Sequence, residues 1–97
     1  MPLFAIIGYD GPHGLERRPS VRPRHLEHLR PLDRAARVVV AGPLFADDGK
    51  TPRGSLIVLE APSLDEACDL AAHDPYVVEG VFDRYEVRPF TRVFPES

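Results

Sequence analysis

Four stretches decide the fold of this 97-residue chain: Arg37-Val-Val-Val-Ala-Gly42, the turn signal Asp47-Asp48-Gly49, Gly54-Ser-Leu-Ile-Val-Leu-Glu60, and Ser63-Leu-Asp-Glu66. The two β-branched apolar runs on either side of a glycine turn read as a hairpin with a long tip over 43–53. Ser63 and Glu66 then have the spacing of a capping box, which opens a helix whose buried stripe is Leu64, Ala67, Cys68 and Ala71. That helix ends near Asp74, because a residue before proline is pushed out of the α region.

Upstream of the hairpin, apolar positions at 21, 29, 32 and 36, with His25 at the one remaining place in the series, give an amphipathic helix over Val21–Ala36. Pro31 falls opposite that stripe and predicts a bend, not a break. Residues 3–9 are apolar on both parities, which marks a strand covered on both faces. Asp10 to Ser20, with Gly11, Pro12, Gly14 and Pro19, reads as a long loop, and long loops in small domains often serve a site. Downstream, Val81–Phe90 reads as a last strand, with Pro89 marking a sheet edge.

The order is strand, helix, strand, strand, helix, strand. Right-handed crossovers turn it into an α+β, ferredoxin-like βαββαβ split fold: a four-stranded antiparallel sheet with both helices on one face. One domain, residues 1–97, is expected at this length. The face away from the helices is left bare yet apolar. A second copy is its simplest cover, so a homodimer in the form of a dimeric α+β barrel is expected.

Composition narrows the function. The formal net charge is -3, with 43% hydrophobic and 28% charged residues, which argues against general affinity for nucleic acid or an anionic membrane surface. The charge is uneven: residues 1–37 hold seven Arg against four acids, and residues 38–97 hold five basic residues against eleven acids. An anionic substrate near the first half fits this imbalance, and so do solvated surface arginines. The one cysteine, Cys68, cannot form an internal disulfide and reads as a packing residue, which together with the lack of a signal-like N-terminus predicts a cytoplasmic protein. Gly8, Gly11 and Gly14 do not match a dinucleotide fingerprint, and no cofactor is expected.

The topology gathers the Gly/Pro-rich segments at one end of the sheet, together with His25 and Asp74. His25, on the buried stripe near the expected start of its helix, is disfavoured as a cation by burial and by the helix dipole, and reads as a neutral base. Asp74, at the C-terminal end of the other helix, needs a donor, and an imidazole N–H supplies one. The same residues also fit a core histidine bonded to a carbonyl beside a helix stop. Tyr76, two residues past Asp74, and Ser55, at the start of the third strand, are candidate substrate-binding hydroxyls; Tyr9 and Tyr85 read as core or rim residues. His13, His28 and His73 have no recognised ligand spacing with His25, so no metal is expected.

Arg22-Pro-Arg-His25-Leu26-Glu-His-Leu29, Val40-Ala41-Gly42-Pro43, Gly54-Ser55, Ser63-Leu-Asp-Glu66-Ala67, Asp74-Pro75-Tyr76-Val77 and Val87-Arg-Pro89-Phe90 together resemble the YciI-like (YCII-related) proteins, in the right order over nearly the whole chain. The resemblance implies a dimeric α+β barrel and an active site holding a histidine and an aspartate, here His25 and Asp74. One branch of that family looks like a dehydrochlorinase of chlorinated, hydroxylated aromatics. The function expected is therefore cofactor-independent acid–base chemistry, of lyase or isomerase type, on a small cyclic organic molecule. The alternative is a non-catalytic small-molecule-binding or accessory dimeric module.

Overall fold

A computed structural model describes residues 1–96 and gives the order β1 (Leu3–Asp10), α1 (Gly14–Arg34), β2 (Val38–Phe45), β3 (Pro52–Glu60), α2 (Leu64–Ala72), α3 (Pro75–Val78) and β4 (Phe82–Phe90). The sheet runs β2-β3-β1-β4 with every neighbouring pair antiparallel, which is the ferredoxin-like arrangement expected. Phe4, Ile6, Ile57 and Leu59 point to the helices and pack with Leu32, Ala61, Ala67 and Ala71 into the main core. Alternate residues therefore face away, and Ala5, Val58, Val40 and Leu44 share the helix-free face.

Three local expectations are corrected. The segment Asp10–Ser20 is not one long loop, because α1 starts at Gly14 and runs through Pro19, Pro23 and Pro31. Each proline removes a helix hydrogen bond. The extra turns are instead held by tertiary contacts: Arg18 donates to Asp10, and Arg17 reaches the carbonyls of Glu79 and Gly80. At the other end, Ala36 takes a left-handed φ of 58° and Arg37 N–H returns to Leu32 O, closing the helix in a Schellman-type turn.

The hairpin strands are longer than their apolar runs, reaching Phe45 and Pro52, so the tip shrinks to residues 46–51. Pro43 is tolerated because β2 is an edge strand, where one side of the backbone needs no partner. Asp48 closes the tip, accepting from Lys50 N, Thr51 N and the Thr51 hydroxyl.

In α2 half of the expected capping box forms, with Ser63 Oγ accepting from Glu66 N at 3.2 Å and, among the described residues, no return bond from Ser63 N–H to the Glu66 side chain, and the buried stripe is only Ala67 and Ala71. Cys68 is exposed and Leu64 is 43% exposed, so Cys68 is not the packing residue expected. A nine-residue helix over a narrow contact hides two small side chains and leaves its flanks in solvent.

No described helix is long and apolar enough to cross a membrane. On the helix-free face, Val40 is 55%, Leu44 40% and Phe90 42% exposed, an apolar surface on a chain otherwise rich in charge.

Candidate active site

Asp74 is in the extended conformation that the following proline imposes (φ -61°, ψ 128°), and it begins a new helix instead of merely ending α2. Its side chain is the N-cap of α3, with Oδ1 accepting from Tyr76 N at 2.9 Å. The expected conflict with the α2 C-terminus is therefore replaced by a favourable capping role, in which a carboxylate meets free N–H groups. The sequence signal was present in Asp-Pro, since proline at N1 after an Asp cap is a usual helix start.

His25 meets this carboxylate from α1. Its Nδ1 lies 2.8 Å from Oδ1 and 2.9 Å from Oδ2 of Asp74, so Nδ1–H donates to an acceptor-only group. Both side chains are more than nine-tenths buried, with exposures of 9% and 4%. His25 sits in the middle of the 21-residue α1, not near its start, because the helix begins earlier than its apolar stripe. The helix dipole acts within the first turn and does not reach the ring, so that part of the expectation fails. What orients the imidazole is Asp74 on one edge and Tyr76 on its face: the two rings stack in parallel, 8° apart in plane and 3.9 Å between centroids.

The other ring nitrogen, Nε2, has no hydrogen-bond partner among the described residues, and no buried side-chain nitrogen or oxygen among them lacks one. Nε2 is therefore the atom that looks into the open space beside it. That space is a cavity of about 500 Å³ between α1 and the β2–β3 hairpin. Leu26, Leu29, Pro43, Phe45 and Ile57 supply apolar wall, while Arg18, Arg22, His25, Ser55 and Tyr76 supply polar atoms. Ser55 lies on the helix-facing side of β3 opposite Gly8, and is buried. All four residues singled out in the sequence, His25, Asp74, Ser55 and Tyr76, thus come together at one end of the sheet, three of them on the cavity wall and Asp74 behind His25.

Asp10, Arg18 and Arg22 were not singled out. Arg18 donates through Nε to Asp10 Oδ2 at 2.7 Å and through Nη2 to Asp10 Oδ1 at 2.8 Å, a bidentate pair with side-chain exposures of 10% and 5%. Nη2 also donates to Gly54 O at 2.8 Å and approaches Ser55 Oγ at 3.4 Å. The guanidinium carbon stands 4.9 Å from the centre of the Tyr76 ring, a cation–π distance. Burial works against the Arg18 charge, but the hydrogen bonds and charge of Asp10 outweigh it and hold the guanidinium above its ordinary value. Burial likewise raises the Tyr76 phenol above its ordinary value, with Arg18 and Arg22 pulling it down without cancelling the shift. Tyr76 is therefore a protonated hydroxyl at neutral pH, able to donate.

Gly54, whose carbonyl accepts from Arg18, has no room for a side chain, because a Cβ there would run into the carbonyl oxygen of Gly8 on the neighbouring strand. The sequence did carry a signal for Arg18, seven residues before His25 and three before Val21 and so on the same helix face. Reading 10–20 as a loop hid it.

The remaining histidines go elsewhere. His13 pairs with Glu16 on the surface, His28 donates to Leu70 O, and His73 donates to Asp69 O. No cluster of three or more His, Cys, Asp or Glu side chains placed to hold a metal ion occurs among the described residues.

Comparison with known proteins agrees with the fold. Protein YciI of Escherichia coli O6:H1 is 40% identical over 97 residues, covering 95% of this chain and 99% of that one. A Haemophilus influenzae protein is 38% identical, covering 94% and 98%. Among solved structures, 5-chloro-2-hydroxyhydroquinone dehydrochlorinase from Burkholderia phenoliruptrix AC1100, in complex with 2,5-dihydroxybenzoquinone, superposes with a TM-score of 0.81 and 32% identity, covering 93% of this chain and 94% of the other. A family model described as YCII-related domain matches residues 2–91, and with relatives this similar along their whole length, the chain belongs to the YCII-related family.

Proposed function

We propose that the protein is a cofactor-independent enzyme of lyase or isomerase type, in which His25 is the general base and acid for a small cyclic organic molecule bound in the cavity. The observation that carries this reading is the polarity of the buried pair: Nδ1–H is committed to Asp74, which leaves the Nε2 lone pair facing the cavity. Nε2 would take a proton from a substrate carbon or hydroxyl, and Asp74 would stabilise the imidazolium so formed. In an elimination, the electron pair of the broken C–H bond forms a C=C bond and expels a leaving group from the next carbon. In an isomerisation, the same proton returns at another position. The dehydrochlorinase among the structural neighbours supports the first form.

The test is a screen of small phenols, lactones and hydroxyquinones for turnover by wild type and His25→Ala. Loss of about 10²–10⁴-fold in rate is expected for the variant, the usual share of a general base. Equal turnover by both proteins would sink the assignment. A compound that raises thermal stability and is recovered chemically unchanged after long incubation would instead favour the binding-module reading, which the mainly apolar wall also supports.

The working form we propose is a cytoplasmic homodimer, with two copies burying the sheet face that carries Ala5, Val40, Leu44 and Val58. Sedimentation of the wild type is expected to give twice the chain mass, and Val40→Asp with Leu44→Lys to give a monomer or an unfolded chain. A wild type that stays monomeric at high micromolar concentration would overturn this arrangement.

A further inference from the structure

The basic groups on the cavity wall are Arg18, Arg22 and His25, with no carboxylate among the lining residues, although the whole chain carries a formal charge of -3. These three are not equivalent. His25 is matched by Asp74 and Arg18 by Asp10, each through close contacts on the side away from the cavity. Arg22 has no carboxylate or carbonyl partner among the described residues, and it is exposed at the mouth on the same helix face, four residues from Arg18. Among the described residues, Arg22 is therefore the cation of the cavity wall that has no close counter-charge, and it stands at the opening.

Two hydroxyls line the same cavity. Ser55 Oγ accepts from an Arg18 N–H at 3.4 Å, which leaves its own O–H free to donate to a ligand in the cavity that it lines. The Tyr76 ring stacks on His25 and lies within cation–π distance of Arg18. The wall beyond is apolar, from Leu26, Leu29, Pro43 and Phe45. A cation at the mouth, hydroxyl donors on the floor and an apolar body make a seat for an oxyanion carried on a ring.

We propose that the cavity takes its ligand as an organic oxyanion of phenolate, enolate or carboxylate type, paired with Arg22 and accepting from Tyr76 and Ser55, while the Asp10–Arg18 pair positions that floor. The inference deepens the acid–base reading and rests on it only in placing the ring next to His25 Nε2. It also uses the excess of arginine in the first part of the chain, of which Arg18 is buried within the fold and Arg22 lines the cavity. Arg22 is a specificity residue here and Arg18 a positioning residue, held by Asp10 and facing Ser55.

The experiment is binding without turnover. 2,5-Dihydroxybenzoquinone, salicylate and benzoate are titrated against their neutral counterparts, 2,5-dimethoxybenzoquinone, salicylamide and benzamide, by calorimetry or NMR. At least one anion is expected to bind about tenfold tighter than its counterpart, the scale of one charge-assisted hydrogen bond. That preference should shrink as ionic strength approaches about 1 M, where the Debye length is about 3 Å. Arg22→Gln should abolish the preference and Arg22→Lys should retain most of it, and both variants should fold because Arg22 is exposed. The proposal is overturned if no anion exceeds its neutral counterpart, including the case in which none binds, or if Arg22→Gln keeps the preference. Because the readout is affinity, a failed search for turnover leaves this result intact, and a failed anion preference leaves the role of His25 to its own test.

Discussion

Asp10→Ala is expected to destabilise the protein by about 3–5 kcal/mol, a loss typical of removing one partner from a buried ion pair. The Arg18 guanidinium would remain inside, 8% exposed, with two of its N–H groups suddenly facing nothing. Arginine cannot escape by giving up its proton, because a guanidinium is basic enough to stay charged in a protein even without its counter-charge. The side chain must then swing out, and with it would go the contacts to Gly54 O and Ser55 that tie α1 to β3. Native domains of this size are stable by about 5–15 kcal/mol in total, so the variant should unfold at much lower denaturant. Chemical denaturation at one fixed protein concentration reads the effect, which matters if the chain associates. Replacing both partners together, Asp10→Leu with Arg18→Met, should recover most of the loss, because apolar side chains of similar volume often substitute for a buried pair at little cost. A single-variant loss below about 1 kcal/mol would mean that the pair behaves as a surface ion pair and that the floor of the cavity is held by something else.

The fold was legible because its signals are local and redundant. The β-branched apolar run in 54–60, the Ser63–Glu66 cap and the stripe through His25 each specify an element, and chain order with crossover handedness does the rest. The pair His25 and Asp74 was legible for a different reason: each was a polar group in a position that demands a partner, and the topology put both at the same end. What stayed hidden depended on tertiary contacts. Pro19 and Pro23 make 14–24 a poor helix by propensity, and only the docking of Arg18 onto Asp10 and of Arg17 onto the 79–80 carbonyls makes it one. Propensity is a weak prior that such contacts override. Cys68 failed in the opposite direction, since a plausible stripe was drawn wider than the surface α2 covers.

These two outcomes are connected through α1. Because the helix starts at Gly14, it carries Arg18, Arg22 and His25 on successive turns, and one rigid element sets the spacing between charge and base. A loop over 10–20 would have left that spacing free. Sites on regular elements hold geometry more tightly than sites on loops, which suits the base proposed for His25.

Asp74→Asn should leave the fold nearly intact and remove most of the activity, by about 10²–10⁴-fold in kcat with KM little changed. Asparagine is as good a helix cap as aspartate, so its Oδ1 can keep the bond from Tyr76 N. Its amide nitrogen then takes the place of Oδ2, 2.9 Å from His25 Nδ1. Two N–H groups cannot face each other at that distance, and the imidazole relieves the conflict by moving its proton to Nε2, so that Nδ1 accepts from the amide. The nitrogen that faces the cavity would then carry a hydrogen where a base needs a lone pair. The carboxylate charge that stabilises an imidazolium is also gone, so proton transfer is opposed at both ends. Nitrogen-15 NMR of the histidine rings reads the change of tautomer without any substrate: the His25 pattern should invert while His13 and His28, which bond elsewhere, hold still. If His25 keeps the same protonated nitrogen in both proteins, the pair is a packing contact, Asp74 is a cap and nothing more, and the binding-module reading takes precedence.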